Sequence, residues 1–214
     1  MKATGPSLRQ RVFARILASH RETLVQLYQE KKEALIAPLR GRILEIGPGT
    51  GINLRHFHPD ATWVGIEPNT ALHPFVYREA AALNRQITLH GATLDDAPIK
   101  EASMDAVVST LVLCSVPEVA TTLQQIWRVL RPGGKYVYLE HVADRPGTLR
   151  RVAQKVAPWS PYRFFSDGCH PGRDIAADIA AAGFTGHEYE AYMQQGPLLL
   201  ALSKPHIAGI AAKP

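Results

Sequence analysis

The stretch ILEIGPGTG, Ile43 to Gly51, reads as a buried strand running into a tight glycine turn. Ile43, Leu44 and Ile46 form a short apolar run bounded by glycine and proline, which suits a strand covered on both faces. Gly47, Gly49 and Gly51 let the chain turn sharply and let a ligand approach the backbone. The spacing is not the GxGxxG of dinucleotide-binding folds, because the third glycine comes one residue early. Glu45 stands two residues before the first glycine. A carboxylate there repels a pyrophosphate and favours a ligand that carries a positive amino group.

Outward from this turn, strands and helices alternate. RILEI, Arg42 to Ile46, is the first strand, and INLRHF opens a helix. TWVGIE, Thr62 to Glu67, is the second strand; a helix near His73 to Leu83 leads to a third at Gln86 to His90. MDAVVST, Met104 to Thr110, is the fourth. A helix from Val119 to Leu130 stops at RPGG, and Lys135 to His141 is the fifth strand. Upstream, Arg11 to Leu39 is expected to be one helix, with Phe13, Ile16, Leu17, Leu24, Leu27 and Tyr28 at helical spacing and Leu35 continuing the series. Downstream come a helix at Arg173 to Ala182, a strand in GFTGHEYEAY and a last strand in KPHIAGIAAK. The pattern predicts an α/β, Rossmann-like, doubly wound and mostly parallel sheet.

A length of 214 residues fits one domain. Residues 1–214 are therefore read as a single domain, with 1–40 a helical lid over the ligand crevice and 145–172 a substrate-side insertion. The insertion holds four prolines and three glycines, and is expected to be irregular. Its aromatics Trp159, Tyr162, Phe164 and Phe165 are expected to wall a dry acceptor pocket, with Trp159, Phe165 and His170 touching the acceptor.

Composition narrows the function classes. No apolar run approaches the roughly 18 residues that a transmembrane helix needs. The opening MKATGPSLRQRVFARILASHRET lacks the apolar core of a signal peptide, so a cytoplasmic protein is expected. The net charge is +5. Arg145, Arg150, Arg151, Lys155 and Arg163 form a basic stretch without an acid, suited to an acidic substrate or to transient contact with an anionic membrane surface. No aromatic motif of an RNA reader accompanies it, so nucleic acid is not expected as a partner. Cys114 and Cys169 do not form a close metal-binding pair, and no metal is expected. Nothing in the sequence specifies an oligomeric state.

The crevice of such a sheet lies at the carboxyl ends of its strands. Glu67, about 20 residues past the glycine turn, is placed to accept hydrogen bonds from ribose hydroxyls, with Pro68 and Asn69 beside it. GATLDD, Gly91 to Asp96, puts Ala92 and Thr93 where an adenine edge should lie. Thr110 and Leu111 end the fourth strand and should face an amino-acid moiety. S-adenosylmethionine combines an ammonium, a sulfonium, a ribose and an adenine with no phosphate. It is the expected cofactor, held by these residues with Glu45, Gly47, Gly49 and Gly51.

These pieces, with LRPGGKYVYLEH at Leu130 to His141, resemble the class I S-adenosylmethionine-dependent methyltransferases, and in particular their type 11 group. The resemblance implies a seven-stranded sheet whose last strand is antiparallel, and cofactor contacts at Gly47, Gly49, Glu67 and Ala92–Thr93. TLVLCSV, LRPGGKYVYLEHVA, FSDGC and KPHIAG are further similar to the microsomal thiol S-methyltransferases. That group carries an apolar N-terminal membrane anchor, which this sequence is expected to lack. The resemblance implies methyl transfer to a small thiol or to hydrogen sulfide. A thiol acceptor must lose a proton; His141, His170 and His206 are candidate bases, His141 first because it ends a strand, with Asp167 as an orienting acid. An O- or N-methyltransferase of a hydrophobic metabolite or lipid head group, and a non-catalytic S-adenosylmethionine-binding protein, are the alternatives.

Overall fold

The computed structural model describes residues 5–196 and 198–214. Residues 1–4 of the expected lid lie outside the described residues. Seven strands form one sheet in the order β3-β2-β1-β4-β5-β7-β6. They are β1 (Arg42–Ile46), β2 (Thr62–Ile66), β3 (Thr88–His90), β4 (Met104–Thr110), β5 (Leu130–His141), β6 (Thr185–Met193) and β7 (Pro205–Ala212). The first five pair in parallel, while β7 runs antiparallel between β5 and β6. The predicted sheet and its reversed last strand are thus what the chain forms.

The central strands alternate sides, as a two-residue side-chain period requires. Leu44, Ile46, Val107, Tyr136 and Tyr138 enter one apolar layer. Ile43, Ala106, Val108 and Val137 enter the other, with Trp63 and Val76. Helix α4 (Val119–Val129) seals the first layer through Leu123, Ile126 and Val129, all fully buried. Each such side chain contributes about 1.5–3 kcal/mol of burial.

Four local expectations are corrected. The single N-terminal helix is two, α1 (Leu8–Ser19) and α2 (Arg21–Ile36). Ser7 and Gln10 form a capping box that starts α1. At its end the Ser19 hydroxyl and His20 Nδ1 both reach the carbonyl of Ile16, at 2.8 and 2.9 Å, and turn the chain. The helix expected after Gly51 is a single 3₁₀ turn, Ile52–Arg55. Strand β5 begins at Leu130: Leu130 pairs with Met104, the register shifts, and Lys135 pairs with Ala106, so RPGG is accommodated within the strand. The insertion is helical rather than irregular, with α5 (Leu149–Val156), a 3₁₀ turn at Ala157–Trp159 and α6 (Tyr162–Phe165). Thr148 caps α5 by accepting from the Arg151 N–H. Helices α3 (His73–Ala82) and α7 (Ile175–Ala181) lie near their expected positions. No helix among the described residues is long and apolar enough to cross a membrane.

Candidate active site

The glycine turn leaves β1 with Gly47, Gly49 and Gly51 at φ of +60°, +59° and +78°. These are left-handed conformations that glycine adopts without penalty. A Cβ on Gly47 would lie 2.7 Å from Val112 Cγ2, and one on Gly49 would lie 3.1 Å from Leu17 Cδ2 of α1. The turn is therefore held between the segment after β4 and the first helix. Helix α1 also reaches Asn69, whose side-chain amide donates to the Gln10 carbonyl at 3.1 Å, and Asp167, which pairs with Arg9 at 3.3 Å.

Glu67, at the end of β2, joins two sides of the crevice. One carboxylate oxygen accepts from the Gly49 N–H at 3.1 Å and the other from the Asn69 N–H at 2.9 Å. Burial pushes its pKa up to about 7, against those hydrogen bonds and with help from the negative charges of Asp167 and Glu45. Glu45 lies beneath the turn, fully buried, and accepts from Trp63 Nε1 at 2.8 Å and Asn53 Nδ2 at 2.7 Å. Burial raises its pKa to about 7 also. Asn53 donates in addition to the Thr110 hydroxyl at 3.0 Å, so one amide ties β1 to the end of β4.

Beyond Thr110 the backbone turns through Leu111, a non-glycine residue at φ +58°. Glu140, fully buried on β5, sets this turn. It accepts from Ser109 Oγ at 2.7 Å and from the N–H groups of Val112 and Leu113 at 2.9 and 3.2 Å. Burial lifts its pKa to about 8.

Two buried thiols and a buried imidazole meet behind that turn. Cys114, His141 and Cys169 each offer a ligand atom, and these atoms all lie within 4.8 Å of one another. His141 Nε2 is 3.2 Å from Cys169 Sγ, and Tyr162 donates its hydroxyl to the same sulfur at 3.4 Å. The hydrogen bond from Cys169 and the adjacent imidazole draw the Cys114 thiol pKa down; the same bond and burial push that of Cys169 up. His206 stands apart, with both ring nitrogens taken by Tyr28 and the Lys204 carbonyl.

The comparisons with known proteins carry this geometry to a family. A model described as "Methyltransferase domain" matches residues 44–138, from the glycine turn's strand through most of β5. The chain is 34% identical over 176 residues to thiol S-methyltransferase TMT1B of Rattus norvegicus, covering 80% of this chain and 70% of that protein. The chain belongs to the class I S-adenosylmethionine-dependent methyltransferases. Demethylmenaquinone methyltransferase of Roseiflexus castenholzii is 32% identical over 121 residues, 55% of this methyltransferase and 50% of the relative. Among solved structures, the Haemonchus contortus phosphoethanolamine N-methyltransferase 2 superimposes with a TM-score of 0.67 in its complex with S-adenosyl-L-methionine and 0.66 in its complex with phosphomonomethylethanolamine and S-adenosylhomocysteine. In the S-adenosyl-L-methionine complex the match is 16% identical and covers 86% of this chain and 52% of that one. The fold is shared with a cyclase, SpnF, at a TM-score of 0.66 and 19% identity over 85% of this chain and 78% of that one. Architecture alone therefore does not choose a reaction.

In this methyltransferase the predicted site residues divide. Gly49 and Asn69 meet at the Glu67 carboxylate, Thr110 and Leu111 lie where β4 ends beside β1, and Gly51 packs against α3 at Val76. Pro68 is exposed; Ala92 is half-buried and Thr93 exposed in the loop after β3, where Thr93 Oγ1 donates to Asp96 at 2.9 Å. Glu45 is a support beneath the turn, because both its oxygens are already bonded. Asp167 faces Arg9 and the Glu67 side, and its partner is not a histidine. His170 reaches Cys114 through its backbone, N–H to carbonyl at 2.8 Å. The expected aromatic pocket wall is corrected for three of its four rings: Trp159 is 88% exposed and Phe164 and Phe165 also face outward, while the Tyr162 hydroxyl reaches the buried Cys169. The insertion folds as short helices whose inner residues are Gln154 and Ala157, which turns those rings away. Sequence reasoning missed Asn53 and Glu140, whose roles depend on contacts across strands. It also missed the meeting of Cys114 with Cys169, although both had been noted within LCSV and DGC.

Proposed function

We propose that this enzyme transfers a methyl group from S-adenosylmethionine to a small, mostly apolar thiol or to hydrogen sulfide. The observation that carries the reading is the identity, over four-fifths of the chain, with proteins named thiol S-methyltransferases. The buried, sulfur-lined corner at the ends of β4 and β5 supports it. The cofactor supplies an activated methyl group; the protein supplies orientation and a low-polarity setting. Glycines without a Cβ at 47 and 49 and a buried carboxylate at Glu67 fit such a ligand. Glu67 would hold the ribose, Asn69 and Thr93 would flank the adenosine, and Gly47, Gly49, Thr110 and Leu111 would border the methionine moiety. Helix α1, which touches Gly49, Asn69 and Asp167, would cover it as a lid.

Incubating the protein with labelled cofactor and a panel of thiols, phenols and amines tests the acceptor. Thioether formation should predominate and should rise with pH as the acceptor thiol ionises. Methylated phenols or amines, with no thioether, would instead favour an O- or N-methyltransferase of a quinone-like metabolite, the reading that the demethylmenaquinone relative supports.

Two results are expected at the cofactor site. Glu67→Ala should weaken S-adenosylmethionine by about 1–3 kcal/mol, the effect of losing charge-assisted hydrogen bonds. Since Glu67 sits near 7 in the free protein, affinity in the parent should strengthen as pH rises through that value and level off above it. A calorimetric affinity that is flat with pH and unmoved by the substitution would remove Glu67 from the ribose.

The exposed face of the insertion supports brief docking on an anionic bilayer. Leu149, Val152, Val156 and Trp159 follow one another at helical spacing, with Leu149 89% exposed. Arg145, Lys155 and Arg163 are exposed around them. This is the pattern of an interfacial helix. Vesicles containing an anionic lipid should shift the fluorescence of Trp159 and sediment with the protein, while purely zwitterionic vesicles should do neither. Equal binding to both, or unchanged binding by Leu149→Ser with Trp159→Ala, would refute it.

A further inference from the structure

We propose that Cys114, His141 and Cys169 form a three-ligand site for a thiophilic divalent cation, Zn²⁺, whose fourth position receives the acceptor thiol. The three residues come from separate elements: the turn after β4, the end of β5 and the loop after α6. All three are buried, and their ligand atoms lie within 4.8 Å of one another. Zinc bound at about 2.3 Å to sulfur and about 2.0–2.1 Å to nitrogen requires donors clustered on this scale. Protein contacts alone leave the cluster poorly satisfied. His141 Nε2 faces Cys169 Sγ at 3.2 Å while its Nδ1 is buried with no hydrogen-bond partner, and the sulfurs' contacts to Leu111, Ser115 and Tyr162 run from 3.4 to 3.6 Å.

The surroundings match the site further. Ser115 Oγ lies 3.4 Å from Cys114 Sγ, and the Tyr162 hydroxyl donates to Cys169 Sγ, so each sulfur has a neighbour to orient it. Two thiolates neutralise a divalent ion, which removes the penalty of burying net charge. His206 lies 6.2 Å from His141 between ring centroids, but both its nitrogens are engaged. Three protein ligands with a vacant position is the arrangement of reactive zinc sites, whereas structural sites have four.

The position also suits the chemistry, and this half of the proposal rests on the thiol reading above. Cys114 follows the turn whose Val112 fills the space that a Cβ at position 47 would occupy. An acceptor R–SH that takes the fourth position releases its proton to solvent, since a metal-bound thiol is deprotonated. Its sulfur lone pair then forms the new bond to the methyl carbon. The bond from that carbon to the sulfonium breaks, and its electron pair stays on the departing sulfur. The metal keeps its oxidation state, and the neutral thioether is a poor ligand that leaves. His141 on this account is a ligand and not a general base.

The test is reconstitution of the reduced protein with Zn²⁺ or Co²⁺ after treatment with a chelator. One ion per chain is expected, with a thiolate-to-cobalt absorption band that changes when a simple alkyl thiol is added. Cys114→Ser and Cys169→Ser should each lower metal affinity by roughly a hundredfold or more, beyond the loss of an outer neighbour. Circular dichroism and cofactor binding check that each variant is folded; His141→Gln serves if one serine variant is not. Absence of stoichiometric metal, equal metal in the variants, or a Cys114–Cys169 disulfide in the protein as isolated overturns the site. Thioether formation that persists in metal-free enzyme overturns it while leaving the thiol reading intact. A cobalt band that ignores thiols, in a protein that methylates none of them, overturns both.

Discussion

Glu140→Ala is expected to destabilise the protein by about 3–5 kcal/mol, since it strands buried donors and opens a cavity in the core. Glu140 is fully buried and receives the Ser109 hydroxyl and the N–H groups of Val112 and Leu113. Ser109 keeps Tyr136 as a neighbour at 2.8 Å, whereas the two backbone groups keep no such substitute on Glu140's side. Glu140→Gln retains an acceptor oxygen and should recover much of the difference. Urea denaturation of the three proteins measures it. Equal losses for alanine and glutamine would mean that one retained acceptor oxygen does not hold the turn.

Gly47→Val should be comparably severe, at about 2–5 kcal/mol from a left-handed backbone combined with overpacking. At φ +60° a β-branched residue is strongly disfavoured, and its Cβ would meet Val112 at 2.7 Å. The loss should appear both in the melting temperature and in cofactor affinity, because the same turn would border the ligand. The double variant Gly47→Val with Val112→Ala should regain part of the overpacking and none of the backbone penalty. A Gly47→Val protein that melts early yet binds S-adenosylmethionine as tightly as the parent would place the ligand elsewhere.

The strands were legible because their apolar runs are decided locally. RILEI and MDAVVST become β1 and β4 with the boundaries read from the sequence. The break at His20 was not legible, since it depends on two side chains competing for one carbonyl. The glycine turn and Glu67 were found from spacing along the chain. The support shell was hidden for the opposite reason: Asn53 reaches Glu45 and Thr110, and Glu140 reaches the turn after β4, across strands that only the fold makes neighbours. Cys114 and Cys169 are separated by a helix, a strand and the insertion, so no linear motif joins them. Trp159 misled because aromatic content says nothing of direction: the short helices of the insertion turn it outward.

The carboxyl groups at the ends of β1, β2 and β5 make folding a proton-uptake reaction. Glu45, Glu67 and Glu140 rise from an ordinary 4.5 to about 7, 7 and 8. Groups shifted upward stabilise the folded state fully below the unfolded value, and that contribution is lost as pH climbs through the folded values. His206, lowered from 6.5 to about 4, works in the other direction but completes its effect by its unfolded value. From there to about 8 these three carboxyl groups weaken the fold as the medium becomes more alkaline, while Lys32, lowered to about 8, and the depressed Cys114 thiol act in the opposite direction. On the thiol reading proposed above, ionisation of the acceptor gains over the same interval, as does the charged form of Glu67. The pH that would favour such a transfer is then one at which these carboxyl groups stabilise the fold least, and a tightly held ligand would restore stability by mass action.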